Sequence, residues 1–332
     1  MLNAVGREIP QEVLDETGKT VFQGTYQFDQ HEYTKAPVKA KTRIGGNGSK
    51  LEGSIQEVLQ KCNAHDSMTI SFHHHFREGD LVVMQVMNVI HELGYKDITI
   101  CASSLSKAQD DLVPMIEDGT VTHIETSGVR GKIGEAISEG KLKGIAILRS
   151  HGGRVRAIET GETKIDIAFI GAPSCDEYGN CRGVGGNSNC GVLSYAAIDA
   201  EYAENVVVLT DCIVPFPNFP ADISMTNVDY VIKVDTIGDA DKIATGAARP
   251  VTDMRKLMMA QSCADFIACT PAFQDGFSFQ TGIGGASIAT AQCLAEKMRE
   301  KNIHMSFGAG GMSKPMCDLL EEGLVNCLLD TQ

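Results

Sequence analysis

No apolar run in this sequence reaches the ~20 residues that a membrane-spanning helix needs. No apolar segment follows the N-terminus, where MLNAVGREIPQEVLDETGK carries acids early, so no signal peptide is expected. No close-spaced CxxC pair occurs among the 11 cysteines, which argues against zinc-ribbon and thioredoxin-like sites. Scattered thiols of this kind fit buried, reduced cysteines in a cytoplasm. Positive charge is scarce as well. Against 43 Asp and Glu stand 29 Lys and Arg, and the net charge of -14 argues against nucleic acid and anionic membranes as partners. An anionic substrate has to be held by a local cluster of cations and backbone N–H groups.

What is present is a globular composition. The 332 residues, 43% apolar and 22% charged, suffice for two domains with their own cores. Residues 1–50 are polar and weakly periodic and read as an extended N-terminal arm and linker. KLEGSIQEVLQKCN predicts a helix with Leu51, Ile55, Val58 and Leu59 on one face. SMTISF (67–72) predicts a strand, HHHFREGD (73–80) a loop, LVVMQVMNVIHELG (81–94) a helix stopped by Gly94, and KDITICASS (96–104) a second strand. That is a βαβ unit and hence a parallel sheet. KIGEAISEG continues as a helix, and KGIAILRS, IDIAFIGAPS, ENVVVLTD and VDYVIKVD as strands. These apolar runs suit strands covered on both faces.

The pattern then repeats. GFSFQ (276–280), a glycine turn, the helix ASIATAQCLAEKMREK and the strand NIHMSF copy the first βαβ unit. MIEDGTVTHIETS (115–127) aligns without gaps to LLEEGLVNCLLDT (319–331). The organisation expected is an arm over 1–50, a first α/β domain over 51–245, and the start of a second, similar domain over 246–332. That second copy stops at the counterpart of Ser127, so a truncated or shortened second domain is expected.

Several stretches can carry chemistry. FQTGIGGAS (279–287) puts Gly282, Gly284 and Gly285 between a strand and a helix N-terminus, where N–H groups favour phosphate or an oxyanion. The plain alternative is a tight turn that needs glycine. A dinucleotide fingerprint fails, because Ser287 stands where the third Gly or Ala belongs. FGAGG (307–311) reads as a second glycine loop after the next strand, offering Gly308, Gly310 and Gly311. The loop APSCDEYGNCRGVGGNSNCG (172–191) offers Asp176 and Asn180, or else a chain of surface turns. Cys175, Cys181 and Cys190 lack a partner at short ligand spacing, so no metal is expected there. TSGVRG (126–131) and SHGGRVR (150–156) supply Arg130, His151 and Arg154, which can clamp carboxylates or simply face solvent. In HHH, His73 and His75 share a face at strand spacing; polar lining or substrate contact by His73, His74 and His75 is favoured over a metal.

Strand, glycine loop and helix, twice over in one chain, resemble the coenzyme A transferase fold. SFHHHFREGDL, TSGVRG, SHGGRV, PSCDEYGN, VIKVDTIGDADKI and FQTGIGGAS look like stretches of the citrate lyase alpha-chain family, in the same order, from about Met68 to Thr331. The resemblance implies an α/β fold of two similar coenzyme A transferase-like domains with mostly parallel sheets, the second incomplete here. It implies a cytoplasmic transferase that exchanges acetyl for citryl on an acyl-carrier or coenzyme A thioester, with no covalently bound cofactor. Implied partners are the beta (lyase) and gamma (acyl-carrier) subunits, citrate and acetate, in a complex with a homo-oligomeric component. Covalent coenzyme A transferases use a Glu just after a second-domain strand; anchored on DLLEEG, that position falls on Gly310. Transfer without an enzyme-bound thioester is therefore implied. The rival readings are a covalent coenzyme A transferase for acetate or a short acid, a non-catalytic carrier-docking scaffold, and a sugar-phosphate isomerase-like enzyme.

Overall fold

The run from Ile167 to Gly171 has no polar residue, and all of it is buried. Such a strand needs cover on both faces, and it has it, in the middle of an eight-stranded sheet. The structure, a computed structural model, describes residues 1–24, 34–38, 48–244, 251–282, 284–310 and 313–330. The chain divides into two units, Met1–Ala240 and Asp241–Gln332.

The strands of the first unit are β1 (Leu51–Glu52), β2 (Thr69–Phe72), β3 (Ile98–Ala102), β4 (Val121–Thr126), β5 (Ala146–Leu148), β6 (Ile167–Gly171), β7 (Ser174–Asp176), β8 (Cys181–Arg182), β9 (Asn205–Thr210), β10 (Ile213–Val214) and β11 (Tyr230–Lys233). Its helices are α1 (Gln11–Thr17), α2 (Ile55–Lys61), α3 (Val82–Glu92), α4 (Val113–Glu117), α5 (Gly131–Ser138), α6 (His151–Glu159) and α7 (Ser194–Tyr202). The large sheet runs β1-β11-β9-β6-β2-β3-β4-β5 with every pair parallel. A small sheet, β10-β7-β8, sits beside it.

The order carries the main functional consequence. From β2 the chain steps outward through β3, β4 and β5, then returns to the other side of β2 with β6 and steps outward again through β9 and β11. The direction of winding reverses between β2 and β6. Crevices at the carboxyl ends of the strands beside such a reversal are where open α/β sheets bind ligands.

Two expectations need correction. Leu51 is not on the face of α2; it lies in β1, paired with Val231 at the sheet edge, and is exposed. The N-terminal arm is not simply extended. Leu14 of α1 is buried, Glu16 meets His123 of β4 at 3.0 Å, and Lys19 meets Glu162 at 2.6 Å.

The second unit contains α8 (Ala240–Ala244, opening in the last residue of the first unit), α9 (Met254–Ala268), β12 (Phe277–Thr281), α10 (Gly285–Lys301), β13 (Met305–Gly310), α11 (Lys314–Glu321) and β14 (Leu328–Asp330). Its parallel sheet β12-β13-β14 has the neighbour order of β2-β3-β4. The gapless match of 115–127 with 319–331 has a physical counterpart. Gly119 and Gly323 both take left-handed φ, 81° and 78°. Ile98 N donates to Thr120 O at 2.8 Å, and Met305 N donates to the equivalent Leu324 O at 2.9 Å. Ala291, Leu294, Ala295 and Met298 of α10 pack with Met305, Met316 and Leu319 in this unit's own core.

Asp80, just before α3, is buried. Its Oδ2 accepts from Gln109 Nε2 at 2.9 Å and Val83 N at 3.3 Å, while Oδ1 has no partner among the described residues. Burial pushes its pKa up from 3.8 to about 6. A carboxyl with a raised folded pKa favours the fold below its unfolded value, and that contribution is lost as pH rises through about 6. Asp80→Asn should therefore gain stability relative to wild type by roughly 2–3 kcal/mol between about pH 4 and pH 7.5. Urea unfolding at both pH values measures it, and parallel profiles would show that Asp80 titrates as it does in water.

Candidate functional site

β2 ends at Phe72 and delivers His73, His74 and His75 to the reversal point. Successive residues of an extended chain face opposite ways. His73 and His75 accordingly stack, with ring centroids 5.9 Å apart and planes 14° apart, while His74 faces Ser103 at the end of β3. His75 Nε2 lies 3.0 Å from Gly171 O at the tip of β6. A carbonyl only accepts, so His75 carries its proton on Nε2. Burial and the neighbouring His73 lower its pKa to about 3.

Beneath these rings lies a buried charge cluster. Arg154 of α6 forks onto Asp199 of α7, Nη1 to Oδ1 at 2.9 Å and Nη2 to Oδ2 at 2.7 Å, and Nη2 also reaches Cys101 O of β3 at 3.4 Å. His73 Nε2 approaches the same Oδ2 at 3.0 Å. All three side chains are at most 3% exposed. Burial alone pushes Asp199 up, but the Arg154 guanidinium and His73 outweigh it and hold the carboxyl well below the usual range. Asp199 therefore accepts and His73 donates.

The upper layer is more open. His151 opens α6, with Ser150 capping the helix by accepting from Gly153 N at 3.0 Å. His151 Nδ1 lies 2.8 Å from Ser127 Oγ, and Ser127 Oγ donates to Ser103 O. Ser103 Oγ in turn contacts His74 at both backbone N (3.0 Å) and Nδ1 (2.6 Å). The His74 and His151 rings are nearly parallel at 5.9 Å, with the Tyr195 ring 5.6 Å and 5.0 Å from them. Burial first, then His151 and Arg77, lower the His74 pKa to about 4. At neutral pH the His74 ring is an uncharged polar group.

Sequence reasoning missed Ser103, Ser127, Tyr195 and Asp199 as members of this cluster. The available signal is helical spacing: Asp199 is a lone acid on the face of α7 that also carries the buried Ala196 and Ala200.

Other candidates fall elsewhere. Arg154, Asp176 and Asn180 need correction as substrate contacts. Arg154 is committed to Asp199. Asp176 is buried and accepts from Tyr178 N, Asn180 N, Asn180 Nδ2 and Asn218 N at 2.8–3.1 Å. Asn180 Oδ1 accepts from Met225 N at 3.1 Å. The pair holds the β7–β8 hairpin together, in a buried version of the turn reading. Cys175 and Cys181 face each other there, Sγ to Sγ 3.3 Å, both buried. Arg130 is exposed at the N-cap of α5.

In the second unit, β12 and β13 are parallel neighbours, so their glycine segments lie at one sheet edge. Gly284 is the N-cap of the 17-residue helix α10 and offers no side-chain cap; Gly285 opens the helix. FGAGG, however, is largely strand. Gly308 lies within β13 and its N–H donates to Cys327 O at 2.9 Å, so it is no oxyanion donor. A Cβ there would meet Met316 Cε at 2.5 Å, the tip of a flexible side chain that would have to shift. Gly310 ends β13 with φ 109°, and a Cβ on it would lie 2.6 Å from Thr281 O. Gly311 lies outside the described residues.

A doubly wound parallel sheet, and a second unit with the strand order of β2-β3-β4, belong to a coenzyme A transferase-like α/β fold. An acyl-CoA transferase of Escherichia coli O157:H7 shares that fold, with TM-score 0.53 and 15% identity over 77% of this chain and 62% of that one. The family described as citrate lyase, alpha subunit, matches residues 48–332, and the chain belongs to that family. It is 47% identical over 283 residues to the citrate lyase alpha chain of Escherichia coli K12, covering 85% of this chain and 56% of that one. A structure described as the alpha subunit of citrate lyase in complex with citrate, from Streptococcus mutans, aligns with TM-score 0.92 and 45% identity, covering 99% of this chain and 64% of that one. The chain thus spans about three fifths of the length of these relatives.

Removing one partner of a buried ion pair leaves the other uncompensated, at a cost of about 3–5 kcal/mol. Asp199→Asn should destabilise the first unit by that order in denaturant unfolding. The double variant Asp199→Leu/Arg154→Met should recover most of the loss. A single variant within about 0.5 kcal/mol of wild type would show the pair to be open to water.

Proposed function

We propose that this chain is the acyl-exchange part of a citrate lyase, replacing acetyl by citryl on the thioester of an acyl-carrier arm or of coenzyme A. Membership of the family and the citrate named with the Streptococcus mutans relative support the substrate. A citrate carboxylate oxygen attacks the acetyl thioester carbonyl, the C–S bond breaks, and a mixed anhydride and a thiolate result. The thiolate then attacks the citryl carbonyl, the anhydride C–O bond breaks, and acetate leaves. No proton is gained or lost overall, so the protein's contribution is orientation, for which ~7–11 kcal/mol is available, and oxyanion stabilisation of ~3–4 kcal/mol per donor.

One observation carries the absence of an enzyme-bound thioester. Where the transferase motif would set its attacking Glu, the chain has Gly310, at φ 109° and with Thr281 O 2.6 Å from any Cβ. A side chain is disfavoured there by both conformation and space. The backbone N–H groups at Gly282, Gly284 and Gly285 remain the candidate oxyanion donors. His74, His75, Arg130 and His151 remain candidates for contact with citrate, with His73 as their anchor. The second unit is read as the opening of a second transferase-like domain, and the working enzyme as a cytoplasmic complex with beta and gamma subunits in which this chain self-associates.

Incubation with acetyl-coenzyme A and labelled citrate, beside a full-length relative, should give citryl thioester and acetate by mass spectrometry. Borohydride or hydroxylamine should trap no adduct on the protein. Citryl thioester with a trapped adduct would move the reading to a covalent transferase. No citryl thioester from either protein, with the natural carrier supplied, would leave a carrier-docking scaffold.

A further inference from the structure

The hydrogen-bond pattern around His151 fixes which of its nitrogens carries a proton. Ser127 has one hydroxyl proton and gives it to the Ser103 carbonyl, so at the 2.8 Å contact with His151 it can only accept. His151 must donate from Nδ1. In the neutral ring, Nε2 is then a lone-pair acceptor. At His74 the order is reversed. Ser103 is fully buried and accepts from the His74 backbone N–H at 3.0 Å; satisfying its own hydroxyl proton at the 2.6 Å contact with Nδ1 puts the ring proton on Nε2. Two near-parallel imidazoles 5.9 Å apart therefore present opposite polarity, His74 a donor and the exposed His151 an acceptor.

A carboxylate has only lone pairs to offer and meets donors. An acceptor in the same cluster has no use for it and requires a ligand that brings a proton. In a hydroxy acid, that proton is on the hydroxyl. We propose that His151 is a specificity residue: its Nε2 accepts the hydroxyl proton of a hydroxy-carboxylate substrate and so separates such acids from the same acids without the hydroxyl. The tautomer follows from Ser127 and Ser103 alone; the identity of the acid as citrate rests on the thioester-exchange reading above.

The probe is tricarballylate, which is citrate without its hydroxyl. By calorimetry the chain should bind citrate about tenfold more tightly than tricarballylate, the value of one ordinary hydrogen bond. His151→Ala should bring the ratio close to one, and His151→Gln, whose amide oxygen can accept, should restore part of it. Ring 15N shifts should show His151 protonated at Nδ1 and bare at Nε2 with citrate bound. Ser127→Ala should release that preference. Equal affinities in wild type, a preference that survives His151→Ala, binding of neither acid, or a protonated Nε2 in the complex would each overturn the inference. Its failure is distinct from that of the exchange reading. Citrate preference without thioester exchange sinks only the reaction, and equal exchange into both acids sinks only the role of His151.

Discussion

The carboxylate of Asp199 is the constraint on which the sheet edge depends. From α7 it reaches α6 through Arg154 and the end of β2 through His73, and Arg154 extends the link to β3 through Cys101 O. A buried pair of this kind recovers its desolvation cost only with good geometry, and the two-point guanidinium contact supplies it. Helix spacing turns this anchor into a site. His151 precedes Arg154 by about one turn of α6, and Tyr195 precedes Asp199 by about one turn of α7. Fixing Arg154 and Asp199 against each other therefore brings His151 and Tyr195 together at the level above, where His74 joins them.

The second unit reuses the strand order of the first without repeating, among its described residues, the His73–Asp199–Arg154 cluster. Its counterparts of β2, β3 and β4 keep the parallel pairing and the left-handed glycine before the third strand. The reversal point does not recur among its described residues, because that point in the first unit needs the counterparts of β6 and β9. What the second unit offers is backbone: an uncapped helix start at Gly284 and a strand end at Gly310 that has no room for a side chain. On the proposed reading this division is chemically coherent. A reaction in which substrate carboxylate and carrier thiolate are the only nucleophiles needs N–H groups more than it needs another carboxylate.

Much of this architecture was legible in the residues. Short β-branched apolar runs such as IAFIG and VVVLT read as strands buried on both faces, and their alternation with amphipathic segments points to the parallel sheet. The repeat was legible because a turn glycine and its flanking acids are fixed by local conformation. Contacts made at long range were not. Leu51 fits a helical face, but its pairing with Val231 decides its state. Arg154 reads as a free clamp until Asp199, 45 residues later, is brought against it. Gly308 reads as loop in FGAGG, yet its N–H belongs to the ladder with β14. The site residues that went unseen, Ser103, Ser127 and Tyr195, share no spacing in the chain. They are neighbours only because β3 and β4 end, and α7 begins, at the same edge.

On the proposed reading, an acidic chain with a net charge of -14 has to hold a triply charged acid against a field of the wrong sign. The fold deepens the difficulty by committing its best-placed guanidinium, Arg154, to an internal carboxylate. Burial also holds His74 and His75 neutral at physiological pH, since their pKa values fall to about 4 and about 3. The cluster is consequently polar without being strongly cationic. Such a surface discriminates by hydrogen-bond direction more than by Coulomb attraction, because direction survives screening and a distant field does not. That favours an arrangement in which donors and acceptors are fixed by serines beneath the rings. It also suits the proposed step that forms and breaks an anhydride, where a strong local cation would hold the carboxylate as a ground-state ion and lower its nucleophilicity.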